Sequence, residues 1–163
     1  MASNCCLCTF RLRHLWFGIA VEKVQEVSWT PILTPVPLAL PSVAGLVNLR
    51  GQIVTAFDLC RRLDFPQTAA ALWPAMVVVR SESVQLALLV DEIGEVVEPP
   101  DDAFEAVPSN LRGKRRELLP RVCKFPGRLL PVLDLDRILQ RDEPAESGSL
   151  EGDAALRRWN LRE

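Results

Sequence analysis

Apolar positions along the chain come in short runs, most of them strand-length. From Cys5 to Leu12 they alternate loosely, placing Cys6, Cys8, Phe10 and Leu12 on one face, the period-two signature of a strand. Arg13-His14-Leu15 reads as a turn, and Trp16 to Ala20 as the partner strand. Val21 to Val27 leaves through a charged corner. Trp29 to Pro41 contains Pro31, Pro35, Pro37 and Pro41. Proline supplies no backbone donor, so a strand fragment and then an extended loop are expected. Val43 to Leu63 has the clearest local grammar. Leu46 to Leu49 is a strand, Asn48-Leu49-Arg50-Gly51 a turn in which Gly51 can take a positive φ, and Ile53 to Phe57 a second strand. Asp58 then stands at the N-cap of a short helix, Leu59 to Leu63.

Beyond it, Leu63 to Pro74 reads as loop, Ala75 to Val79 as a buried strand, Ser81-Glu82-Ser83 as a hairpin turn and Val84 to Val90 as the next strand. Glu98 to Arg116 is polar and is expected to be loop. Leu118 to Phe125 and Arg128 to Leu133 form a hairpin about Pro126-Gly127, and Asp134 caps a short helix to Gln140. Residues 141–163 read as a flexible polar tail. Within it, Asp153 to Arg162 could coil into a loose helix whose Leu156, Trp159 and Leu161 need a partner.

Two stretches recur. Gly51 to Leu63 aligns with Gly127 to Leu139 at an offset of 76 residues, matching the Gly, the Asp, the following Leu, an Arg and the final Leu. Phe17 to Val27 aligns with Leu86 to Val96 at an offset of 69, each an apolar strand, an acid, then apolar-x-Glu-Val. The unequal offsets put a longer loop in the second half. One ancestral unit used twice accounts for the pattern, and two copies are too few for a solenoid.

Composition narrows the class. The 163 residues suit one compact domain or two small lobes sharing a core, and 48% are hydrophobic, enough to build one. Thirteen prolines favour many short strands over long helices. A formal charge of −2 favours neither nucleic acid nor an anionic membrane surface. No run reaches the roughly 18 apolar residues of a membrane span, and Met1 to Asn4 do not open a secretory signal. A cytoplasmic setting with reduced thiols is expected for the five cysteines.

Little catalytic chemistry survives inspection. Asp58 and Asp134 are equivalent acids in two repeats, as in aspartic proteases, but Leu59-Cys60 and Leu135-Asp136 follow them instead of Thr or Ser and Gly. Helix capping explains both. Cys5, Cys6 and Cys8 lack the spacing and the distant second pair of a zinc site. Cys60 and Cys123 read as core thiols. His14, the one histidine, sits at a turn with no evident nucleophile. No Gly-rich phosphate loop appears. Arg112 to Arg116 is a basic cluster, by default a solvated loop and otherwise a docking site for an acidic partner; no aromatic platform flanks it for nucleic acid. No catalyst, metal or cofactor is therefore expected, and a binding module is the reading left.

Several motifs in order resemble the CheW domain of bacterial chemotaxis: Phe10-Arg11-Leu12, Phe17-Gly18-Ile19, Lys23-Val24-Gln25-Glu26-Val27, Gly45-Leu46-Val47-Asn48-Leu49-Arg50-Gly51 and Phe57-Asp58-Leu59. The Asn-Leu-Arg-Gly stretch is the specific part, and the likeness runs from about Cys8 to Leu139. It implies a mainly β fold: two SH3-like five-stranded β-barrel subdomains around a shared hydrophobic core, with short helices, within residues 5–140. The first lobe is expected at Cys5 to Val36 plus a crossing contribution from the C-terminal end, the second centred on Val43 to Phe125. The resemblance also implies a non-catalytic scaffold joining methyl-accepting chemoreceptors to a CheA-type histidine kinase, associated with receptor arrays and not inserted in the membrane. A receptor helix would lie in the groove between lobes, lined by Val24, Glu26, Gly45, Arg50, Gly51 and Ile93. Glu26 and Arg50 are expected to form a partly buried ion pair that fixes the turn. The proline- and charge-rich Pro99 to Pro120 falls where a second kinase contact is expected, which leaves ring-type assembly open. An adaptor of type IV pilus motility or of surface-sensing second-messenger control, a regulatory domain cut from a longer kinase or a fused response regulator, and a small enzyme are the alternatives.

Overall fold

The computed structural model describes residues 5–29, 31–66, 74–82 and 84–138. The expected tail at 141–163, its loose helix and most of the Leu63 to Pro74 loop lie outside the described residues.

Among the described residues, eleven strands form two sheets. They are β1 (Leu7–Leu12), β2 (Leu15–Ala20), β3 (Val24–Trp29), β4 (Val43–Leu49), β5 (Gln52–Asp58), β6 (Ala75–Ser81), β7 (Val84–Val90), β8 (Glu92–Val97), β9 (Phe104–Ala106), β10 (Arg121–Phe125) and β11 (Arg128–Val132). Three short α-helices among the described residues, α1 (Leu59–Arg62), α2 (Lys114–Leu118) and α3 (Leu135–Ile138), join or close them. The six-stranded sheet runs β8-β1-β2-β11-β10-β9 and the five-stranded sheet β3-β6-β7-β5-β4. The fold is mainly β, in two lobes, as expected.

The repeat determines the strand order. Shifted by the two offsets, β3-β6-β7-β5-β4 becomes β8-β1-β2-β11-β10. The register agrees residue by residue. Val24 faces Val79 in one sheet and Ile93 faces Phe10 in the other. Ala56 faces Ala87 across one parallel pair, and Val132 faces Gly18 across its counterpart. Even the irregularity recurs: pairing slips between Val24 and Glu26, and between Cys8 and Phe10 at the equivalent place.

Each sheet therefore takes its central hairpin from one repeat and its flanking strands from the other. This corrects the expected division of the chain. β3, assigned to the first lobe, pairs with β6, and β8 to β10, assigned to the second, join β1 and β2. The lobe expected to have five strands has six, because β9 adds to β10. In the other sheet the same position holds one isolated bridge, Thr34 to Leu46. Pro31, Pro35 and Pro37 surround Thr34 and remove the donors a longer strand would need.

Exchange makes the central strands apolar on both faces, as strands buried on two sides must be. Cys8, Phe10 and Leu12 of β1 share one core with Phe17, Val77, Val79, Leu86 and Leu88. The alternate positions serve a private core in each lobe: Met76, Val78, Val54 and Ala56 in one, Leu7, Leu130 and Val132 in the other. Phe17 is fully buried at the seam, stacked on Phe10 with centroids 5.8 Å apart and edge-on to Phe65 at 6.2 Å.

The helices close the seam. Asp58 caps α1 by accepting from the Arg61 N–H at 3.3 Å. Asp134 accepts from the N–H groups of Asp136 and Arg137 at 3.0 and 3.4 Å. Within the basic run Arg112 and Arg116 are exposed, as expected of a solvated segment, but Arg115 is not. Arg115 is buried in α2, donates to the Leu63 and Asp64 carbonyls at 2.8 and 2.7 Å, and lies 4.9 Å from the Phe65 ring centroid. Leu111, Leu118 and Leu119 pull it in by burying on the same core. Asp58→Ala is expected to lower unfolding stability by about 1 kcal/mol, the ordinary loss for an N-cap, as a shift in urea midpoint.

Candidate protein-interaction site

The expected site residues divide between the sheets. Five of them, Val24, Glu26, Gly45, Arg50 and Gly51, belong to the five-stranded sheet or its turn, on β3, β4 and the β4–β5 connection. Ile93 lies on β8 of the other sheet. Val24 and Ile93 are equivalent in the repeat, and both pack, partly buried, against the shared core. They mark the edge strand of each lobe where it meets the seam.

A two-residue turn carries the charge. Leu49 pairs with Gln52, leaving Arg50 and Gly51 as the loop, with φ of 51° and 86°. Positive φ at both central residues matches the right-handed twist of a hairpin. The sequence pattern foresaw it for Gly51 but not for Arg50, whose Cβ makes that conformation costly. Asn48 Oδ1 holds the turn by accepting from the Gly51 N–H at 2.9 Å. Strain retained at a residue that contributes nothing to a core is a pointer to function.

Arg50 Nη2 lies 3.3 Å from Glu26 Oε2, so the anticipated ion pair is present. It is not the partly buried pair expected: the arginine side chain is 87% exposed and the glutamate 31%. An exposed pair of this kind contributes at most about 1 kcal/mol. Its effect is geometric, tying the turn across to the edge strand β3 while leaving the guanidinium donors presented to solvent.

Gly45 is buried and plays a different part. A side chain there would meet the Thr34 carbonyl oxygen at 2.6 Å. Its bareness lets Thr34 exchange two 2.8 Å backbone hydrogen bonds with Leu46. That bridge fastens the proline-rich segment beside β4, and the segment presents large apolar side chains outward: Trp29, Ile32, Leu38 and Leu40 are exposed, as is Ile53 on β5. The sequence reading treated this segment as a connection and missed the surface. Large apolar residues interleaved with prolines, where no strand could bury them, were the available signal.

Residues weighed for chemistry are placed elsewhere. Burial, with the Asp58 and Asp91 carboxylates nearby, pushes the Cys60 thiol up to about 11, so it stays protonated and packs against the core. Cys123 is fully buried and raised likewise by burial. His14 is exposed in the β1–β2 turn. Among the described residues no group of three or more His, Cys, Asp and Glu is placed to hold a metal ion.

Residues 7–143 match the model of the CheW-like domain. The chain belongs to the CheW-like domain family. Chemotaxis protein CheW of Rhizobium meliloti is 27% identical over 138 residues, covering 84% of this chain and 88% of that protein. Protein PilI of Pseudomonas aeruginosa is 30% identical over 95 residues, 58% of this chain and 53% of that one. In structure, the scaffolding protein TtCheW from Thermoanaerobacter tengcongensis superposes with a TM-score of 0.76 at 20% identity, covering 87% of this chain and 95% of TtCheW. The CheW-like match spans both lobes, so the exchanged hairpins lie within one family unit.

Arg50→Gly separates the two roles of the turn. Relief of the left-handed strain, offset by loss of the exposed pair, is expected to leave stability unchanged or raised by up to about 1 kcal/mol. Arg50→Val, with a branched Cβ at the same φ, should lower it. Urea unfolding of the two variants measures the difference.

Proposed function

We propose that this chain is a non-catalytic adaptor of a chemosensory pathway, joining a methyl-accepting chemoreceptor to a CheA-type histidine kinase. The family match over residues 7–143 carries the reading, and the relative named as a chemotaxis protein supports it. Among the described residues no helix is long and apolar enough to cross a membrane. In this reading the adaptor meets its receptor as a peripheral partner in the array.

The receptor contact is centred on the turn. Arg50 offers several N–H donors in a fixed fork to carboxylates or backbone carbonyls of a helical tip, and the Asn48 bond and the Glu26 pair hold it in place. Val24 and Ile93, where the two edge strands meet the seam, supply apolar contact to the same helix. Gly45 and Gly51 act through the backbone, one by admitting Thr34 and one by closing the turn. The exposed apolar side chains along the proline-rich segment form a second surface, suited to the kinase. The likeness to Protein PilI is compatible with a second reading, in which the same adaptor serves a non-swimming system.

Capture assays with the cognate receptor and kinase test the assignment. Arg50→Ala is expected to weaken receptor capture about thirtyfold, a loss of about 2 kcal/mol as for a central arginine, with kinase capture unchanged. Val24→Ala should act in the same direction. Unchanged receptor capture by Arg50→Ala, or equal loss of both partners, would refute it.

A further inference from the structure

Comparing the two repeats position by position exposes a difference that the adaptor reading does not use. In the five-stranded sheet the space between the edge strand and the hairpin turn is bridged. Arg50 reaches Glu26, and Gln85 Nε2 donates to Gln25 Oε1. At the equivalent positions of the six-stranded sheet, Glu95 replaces Glu26 without a change of type, but Pro126 stands for Arg50, Gly94 for Gln25 and Trp16 for Gln85. Neither bridge can form. A cavity of about 520 Å³ lies there, lined by Trp16, Gly94, Glu95, Phe125, Arg128 and Leu130 among others.

Its walls are specific. A side chain at position 94 would overlap Thr9 Oγ1 and the Trp16 ring, so glycine is what lets the indole lie against β8. Thr9 Oγ1 donates to the Glu95 carbonyl at 2.6 Å and fixes the strand there. The charges on the rim are unequal in their partners. Glu92 is held by Arg11 at 2.8 Å. The Arg128 guanidinium lies 5.6 Å from the Trp16 ring centroid. Glu95 is exposed and, among the described residues, has no ion-pair partner. The lobe has kept the acid and lost its arginine.

We infer that this cavity receives an arginine or lysine side chain from a partner protein, its charge pairing with Glu95 and its aliphatic stem lying on Phe125 and Leu130, beside the Trp16 ring that Arg128 already covers. The incoming cation takes the place that Arg50 fills within the other lobe. Apolar stems of such side chains pack readily on aromatic surface while the head stays charged, and the volume lies in the range of small binding sites. The inference is independent of which receptor or kinase the adaptor serves.

Two blocked tripeptides test it by NMR titration of the full chain: N-acetyl-Gly-Arg-Gly-amide, and the same peptide with citrulline, the neutral isostere of arginine. The arginine peptide is expected to shift the Gly94 and Glu95 amides and the Trp16 indole saturably, at least tenfold more tightly than the citrulline peptide. Glu95→Gln should abolish that preference while the spectrum stays that of the folded protein. n-Butylguanidinium reports the side chain without its backbone and should shift the same resonances. Equal binding of the two peptides, binding of butylguanidinium without the peptide, no shift from any probe, or a preference that survives Glu95→Gln would each overturn it.

Discussion

Four strands, β1, β2, β6 and β7, press apolar faces together at the middle of the molecule, and the rest of the structure depends on that seam. Phe10, Phe17, Val77, Val79 and Leu88 are fully buried there. Burying side chains of this size contributes roughly 1.5–3 kcal/mol each. Because the two hairpins come from different repeats and are each flanked by strands of the other, neither repeat can form its own sheet. The linkage is topological as well as energetic. A chain built in this way holds two lobes at a defined relative position, as an adaptor requires.

The seam also explains why the lobes can differ at their rims. Equivalent positions in the private cores stay apolar: Met76 and Leu7, Val54 and Leu130, Ala56 and Val132. Away from them the copies have diverged. One turn uses Arg50 and Gly51, both with positive φ; the other uses Pro126, whose ring fixes φ near −65°, followed by Gly127 at 79°. The loops are equal in length but aim their residues differently, one toward the edge-strand acid and one not. Pro131, standing for Thr55, also lacks the N–H that a longer parallel pairing with β2 would use, and only Val132 bridges to it.

Most elements were legible in the sequence because their signals are local. Alternation, the Arg50-Gly51 and Pro126-Gly127 turns, and the Asp58 and Asp134 caps each act within a few residues, and the repeat confirmed them against one another. The unbroken apolar run Ala75 to Val79 even read as a buried strand, as it is. The division into lobes was not legible, since no local pattern says whether β3 pairs with β2 or with β6. Arg115 was misread for a related reason: a basic run looks solvated until Leu111, Leu118 and Leu119 are seen to bury beside it. Of the site, the Glu26–Arg50 pair could be anticipated from the motif, but its exposure could not. The cavity around Trp16 draws on strands from both ends of the chain and has no local signature in the sequence.

The two lobes form one cooperative unit through the exchanged hairpins. Native-state amide hydrogen exchange on Phe17→Leu tests it most directly, since Phe17 belongs to the six-stranded sheet and local opening is resolved strand by strand. Protection of the slowest amides of β6 and β7 should fall by the same free energy as that of β1 and β2. Loss of protection confined to β1 and β2, with β6 and β7 unchanged, would mean that the lobes open independently.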